Sequence, residues 1–189
     1  MAGSPHVLRA AGRTAVPWRN GGGVTREIAA HPAGAPMDAF DWRVSLADVD
    51  ADGPFSAFEG VDRTLTVVEG AGMDLIVDGE HHIVDEAYWP YDFPGDLTTE
   101  GLLLAGPVVN LNVMYRRSRT RAETAVVRGT VRLLPPHGGA VLALALDGGA
   151  VIDGTDVALG RYDAVLATGG SPGVLRTMGD AVVITLSPV

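Results

Sequence analysis

Apolar side chains in this chain recur at period two, in short runs that glycine and proline interrupt. Phe40, Trp42, Val44 and Leu46 alternate with Asp41, Arg43, Ser45 and Ala47, the pattern of a strand with one apolar face. Val109, Leu111, Val113 and Tyr115 alternate in the same way with Asn110, Asn112 and Met114. No stretch sustains a helical period over three turns. Further strands are expected at 62–69, 73–77, 80–84, 126–134, 140–146, 164–167, 174–176 and 181–186. Asp78-Gly79, between two of them, is a type I′ hairpin signal. Many short strands with turn signals between them describe an all-β sandwich, jelly roll or barrel.

A length of 189 residues suits two small barrels better than one minimal domain or two ordinary ones. The run from Arg116 to Arg121 has little apolar content and reads as a solvated linker between halves 1–118 and 122–189. The first strands, 7–29, belong with either half. Apolar residues make up 47% of the chain, enough to bury a core. The absence of cysteine excludes disulfides and thiolate metal sites. All 14 basic residues are arginine and the net charge is −9. That balance argues against sequence-independent nucleic-acid binding, which rests on phosphate neutralisation. It leaves room for a local arginine site, because the guanidinium fork fits a carboxylate. The N-terminus lacks a basic region followed by an apolar run, and no stretch has the length to span a bilayer. A cytoplasmic protein with no membrane partner is the expectation.

Arg43 and Ser45 share the polar face of the 40–47 strand, and one face of each strand in a small barrel lines the lumen. Arg63 stands in an apolar series with Val61, Leu65 and Val67. A buried arginine there requires a partner, either a carboxylate such as Asp41 or Asp62, or a ligand. Asn110, Asn112 and Met114 share a face. Asparagine is depleted in strands, so two in alternation indicate a wet edge or a polar cavity. Gly21-Gly22-Gly23 is neither a phosphate loop nor a dinucleotide fingerprint. It reads as a tight turn, with Asn20 and Arg26 as the chemical groups beside it. Trp18 and Trp42 read as core and pocket wall, and Trp89 and Tyr91 as the cover of a barrel mouth or an interface. His81 and His82 are adjacent on one strand and point to opposite faces. Nothing in the sequence brings His82, Glu86 and His137 together, so no metal centre or other cofactor is expected.

Several stretches, in order along roughly the first 120 residues, resemble the HutD/Ves family. They are Trp18-Arg19-Asn20-Gly21-Gly22-Gly23-Val24-Thr25-Arg26-Glu27, Phe40-Asp41-Trp42-Arg43-Val44-Ser45, Gly53-Pro54-Phe55-Ser56, Gly60-Val61-Asp62-Arg63-Thr64, Phe93-Pro94-Gly95-Asp96 and Asn110-Leu111-Asn112-Val113-Met114. The resemblance implies a bicupin, two RmlC-like jelly-roll barrels in one chain. It also implies a role around histidine utilisation, with N-formylglutamate as the suggested ligand. The family usually carries aspartate where this chain has Asn110. Residues and resemblance together give a non-catalytic protein that holds a small carboxylate between Arg43 and Arg63. Asn20, Thr25, Arg26, Ser45, Asn112 and Met114 line or support that site. The alternative is a metal-independent isomerase or lyase acting on a small acid or sugar derivative. A homodimer through sheet edges is the protein partner such folds suggest.

Overall fold

The structure, a computed structural model, describes residues 6–85, 87–169 and 173–189. It is all-β with curled sheets and divides into two compact units. One is Thr14–Arg119; the other joins the start of the chain, up to Arg13, to Thr120–Val189.

The 14–119 unit contains two antiparallel sheets. The larger runs Ala15–Pro17, Gly23–His31, Trp42–Val49, Val108–Arg116, Val61–Glu69, Tyr91–Pro94. The smaller runs Gly53–Phe55, Thr99–Leu103, Met73–Val77, Glu80–Val84. Their inner faces meet in one apolar core. Ala47, Val49, Leu65, Val67 and Phe93 come from the larger sheet, and Met73, Leu75, Val77 and Val84 from the smaller. The Asp78-Gly79 turn has both residues at positive φ, 50° and 84°, as a type I′ turn requires. The strand expected at 40–47 is Trp42–Val49, and it is buried on both faces.

In the other unit, Thr120–Leu133 pairs with Gly173–Pro188 along its whole length, with a bulge at Arg128/Gly129. The strands expected separately at 174–176 and 181–186 are one continuous strand, in which Met178 and Gly179 form the bulge that faces Arg128/Gly129. The remaining strands of this seven-stranded sheet include His6–Leu8, which pairs with Ala164–Thr168. Its core is aliphatic: Val141, Ala143, Ala145, Val165, Leu175 and their neighbours.

The arginine run at 116–121 spans the boundary between the units and is exposed at Arg117, Ser118, Arg119 and Arg121, but it is tied to its surroundings. Arg117 pairs with Asp62 and with Asp96, each at 2.7 Å, and Arg119 pairs with Asp41 at 2.7 Å. Arg116 donates to the Phe40 carbonyl at 2.9 Å. The hydrogen bonds that Arg117 donates to Asp96 and Asp62 push its pKa above the ordinary value. The segment is a turn tied down by the aspartates around it, and Thr120 already opens the next strand.

Candidate functional site

Residues directly opposite one another in an antiparallel sheet project to the same face. The register of the larger sheet therefore arranges side chains in rows. One row is Arg43, Met114, Arg63, Phe93. The next is Glu27, Ser45, Asn112, Leu65, Tyr91. The third is Thr25, Ala47, Asn110, Val67. Ala47, Leu65, Val67 and Phe93 belong to the interior core, so all three rows face inward.

Arg63 is 4% exposed. Its Nε donates to Asn112 Oδ1 at 3.3 Å. Its guanidinium carbon lies 5.0 Å from the centre of the Phe55 ring and 5.2 Å from that of Phe93. One ring comes from each sheet. Among the described residues no carboxylate lies within ion-pairing distance. The two candidates from the sequence are taken, Asp62 by Arg117 and Asp41 by Arg119. Burial lowers the Arg63 pKa to about 10, so the group is still charged at neutral pH. A cation over a ring face gains about 0.5–2 kcal/mol. Desolvating an ion costs several kcal/mol, so the rings alone do not account for a charge in this place.

The other expected site residues divide. Arg43 faces the interior but is neutralised by Glu27 at 2.9 Å. Ser45 and Met114 are buried on that face, each 3% exposed, and Met114 packs with Phe40 and Val61. Asn112 is the acceptor for Arg63. Thr25 accepts a hydrogen bond from Trp18 Nε1 at 2.7 Å, and Trp18 meets Phe55 edge-on. Thr25 thus supports the ring that flanks Arg63. Arg26 does not join them. It aligns with Leu46, on the opposite face, and pairs there with Asp48. Asn20 is exposed and accepts the Gly22 N–H at 3.1 Å, closing the turn of the glycine run. In that turn a Cβ at Gly23 would lie 2.2 Å from the Asp48 carbonyl oxygen, so the glycine run serves close backbone approach.

Two contributors were not singled out from the sequence, and Asn110 was read there only as part of a polar face. Phe55 and Phe93 carry no periodic signal that ties them to an arginine distant in sequence. Asn110, 1% exposed, has an amide nitrogen with no hydrogen-bond partner among the described residues. Its alternation with Asn112 was the available signal. On the smaller sheet His82 aligns with Leu75 and its ring lies tilted against that of Tyr91 at 5.0 Å, and Tyr91 stacks on Phe93. His81 points the other way, to Asp74 at 2.7 Å. Trp89 is 65% exposed. Glu86 lies outside the described residues. Among the described residues no three His, Asp or Glu side chains are grouped to hold a metal ion. An open hollow of about 590 Å³ on the same unit is lined by Met37, Asp38, Phe58, Glu59 and Arg116, and by none of the interior polar groups. No helix among the described residues is long and apolar enough to cross a membrane.

A family model described as HutD matches residues 10–184. The chain is 39% identical over 127 residues to an uncharacterized 21.2 kDa protein in the hutC 3′ region of Pseudomonas putida. That match covers 67% of this chain and 66% of the relative, just under two thirds of its length. Protein Ves of Citrobacter koseri is 35% identical over 130 residues, again 67% of this chain and 66% of that one. Among solved structures, HutD from Pseudomonas fluorescens SBW25 superposes with a TM-score of 0.86 at 32% identity, covering 98% of this chain and 100% of that one. Protein Ylba of E. coli, at 13% identity and a TM-score of 0.74 over 100% of this chain and 92% of that one, shares the fold.

Proposed function

The chain belongs to the HutD family, and on that premise we propose that its 14–119 unit binds a small carboxylate at Arg63. The observation that carries this reading is a buried, charged guanidinium flanked by two phenyl rings, with no carboxylate of the described residues beside it. A carboxylate entering the interior meets the terminal nitrogens of Arg63, whose third nitrogen Asn112 already holds. Ser45 and Met114 wall the site from the same face, and Thr25 holds the Trp18–Phe55 pair behind it.

The family's link to the histidine-utilisation region, visible in the description of the Pseudomonas putida relative, makes N-formylglutamate or a related acid of that breakdown the first ligand to try. We read the two units as paired cupin barrels. In this reading the protein works in the cytoplasm without metal or cofactor, holding the acid as a sensor or governing factor rather than converting it. Calorimetric titration with N-formylglutamate, urocanate and glutamate tests it. The expected outcome is binding of at least one, lost in Arg63→Ala. Silence from all three, in a protein shown to be folded, overturns it.

One observation favours the alternative, a metal-independent isomerase or lyase. His82 faces the interior, its ring tilted against Tyr91, and burial followed by the charge of Glu80 raises the Tyr91 pKa. If the bound acid is turned over and His82→Gln abolishes turnover while sparing binding, the enzyme reading replaces the binding one.

A further inference from the structure

We propose that Asn110 reads a second, uncharged oxygen on the same ligand, so that the acid held at Arg63 carries a carbonyl a few ångströms from its carboxylate. The inference rests on the carboxylate reading above and adds to it the chemistry of the ligand's other end. Asn110 is 1% exposed, and its amide nitrogen is buried without a partner. A buried donor left unpaired is unfavourable, and native proteins leave few of them. Asn110 faces the same interior as Arg63, one row beyond Asn112. The backbones of Arg63 and Asn110 are two rows apart, about 13 Å along the sheet, and the Arg63 side chain covers part of that by reaching Asn112. One small molecule spans the rest.

The second oxygen is uncharged because, among the described residues, this interior offers no second free cation. Arg43, the other inward arginine, is matched by Glu27 at 2.9 Å. Glu27 stands in the row of Asn112, where a second carboxylate on the ligand meets repulsion. Among the acids of the reading above, this favours those with a single carboxylate over the dicarboxylates N-formylglutamate and glutamate. An amide N–H facing a carbonyl needs no counter-charge.

Three probes separate the possibilities: pentanoate, 4-oxopentanoate and butanedioate. They share one carboxylate and differ in what lies at the far end, which is hydrocarbon, a ketone or a second carboxylate. Wild-type protein is expected to bind 4-oxopentanoate about tenfold more tightly than pentanoate, the worth of one good buried hydrogen bond, and more tightly than butanedioate. In Asn110→Leu the ketone advantage disappears, and 4-oxopentanoate falls to the level of pentanoate. Thermal stability of that variant holds or rises, since an unpaired amide is replaced by hydrocarbon of similar size. Should Asn110→Leu fail to fold, Asn110→Ala carries the same comparison. Equal affinities in the wild type, a preference for butanedioate, or a ketone advantage that survives the substitution each overturns the role of Asn110 and leaves Arg63 standing. No binding of any probe overturns the carboxylate reading beneath it.

Discussion

In the 14–119 unit, Val61–Glu69 carries Arg63 between Val61 and Leu65, facing Asn112 and Met114 on the neighbouring strand. In the other unit, Ala140–Ala145 is alanine, valine and leucine throughout, every residue buried. The strands are of one kind and their interiors differ. The first encloses an arginine and two asparagines. The second has, among the described residues, only Thr120 and Thr177 as buried polar side chains, and the Thr177 hydroxyl is satisfied by the Gly179 carbonyl at 2.9 Å. The aliphatic unit shows that this style of sheet closes, among the described residues, without a buried arginine or asparagine. The polar groups of the other are therefore not needed to form it, and a group retained at a cost in stability points to use.

The comparison can be broken most sharply at Arg63. Arg63→Met is expected to lower carboxylate affinity by two or more orders of magnitude, as removal of one partner of a buried charge pair costs about 2–5 kcal/mol. The same variant, without ligand, should unfold at a higher temperature than the wild type, because a desolvated charge is replaced by an apolar side chain of similar length. A lower midpoint would mean that Arg63 holds the core together, and the contrast between the two interiors would lose its meaning.

The converse change imports polarity into the aliphatic unit. Val165 is fully buried, and Val165→Asn should destabilise the protein by about 2–4 kcal/mol in urea titration, the sum of an unpaired amide and lost packing. Tolerance at this site would show that either interior accepts polar groups. Asn112→Ala removes the one hydrogen bond that aims Arg63 and should weaken carboxylate binding about tenfold, with little change in thermal midpoint.

Two pH effects are smaller. Binding requires charged Arg63, whose pKa burial lowers to about 10. Affinity should therefore stay level from about pH 6 to 9 and fall as pH rises through that value, in calorimetry at matched ionic strength. Asp96 is held below the usual carboxylate range, first by the hydrogen bond from Arg117. Its contribution to stability is present above the ordinary carboxyl pKa and is lost as pH falls through the depressed one. Asp96→Asn should lower the thermal midpoint slightly at neutral pH and not at all in strong acid.

Much of this was legible in the residues. Period two placed the strand cores, and Asp78-Gly79 named its turn, because both depend on local geometry. Strand ends were less legible. The run 173–188 looked like two strands, because glycine in a bulge resembles glycine in a turn until its partner, here the 120–133 strand, is known. The arginine run at 116–121 looked like a free linker because its aspartates, 41, 62 and 96, are distant in sequence. Arg26 was placed with the interior by its motif, and the register puts it on the opposite face.

The sequence by itself determined an all-β chain, its family, and an arginine at position 63 among apolar neighbours that required a counter-charge. Those follow from alternation, composition and ordered motifs. Only the tertiary structure decided that no aspartate of the described residues answers Arg63, that Glu27 cancels Arg43, and that Asn110 keeps an unpaired donor on the same inward face. Each of these depends on which strand lies next to which and in what register. Pairing is a long-range choice, and a shift of one residue would turn every one of these side chains to the other face.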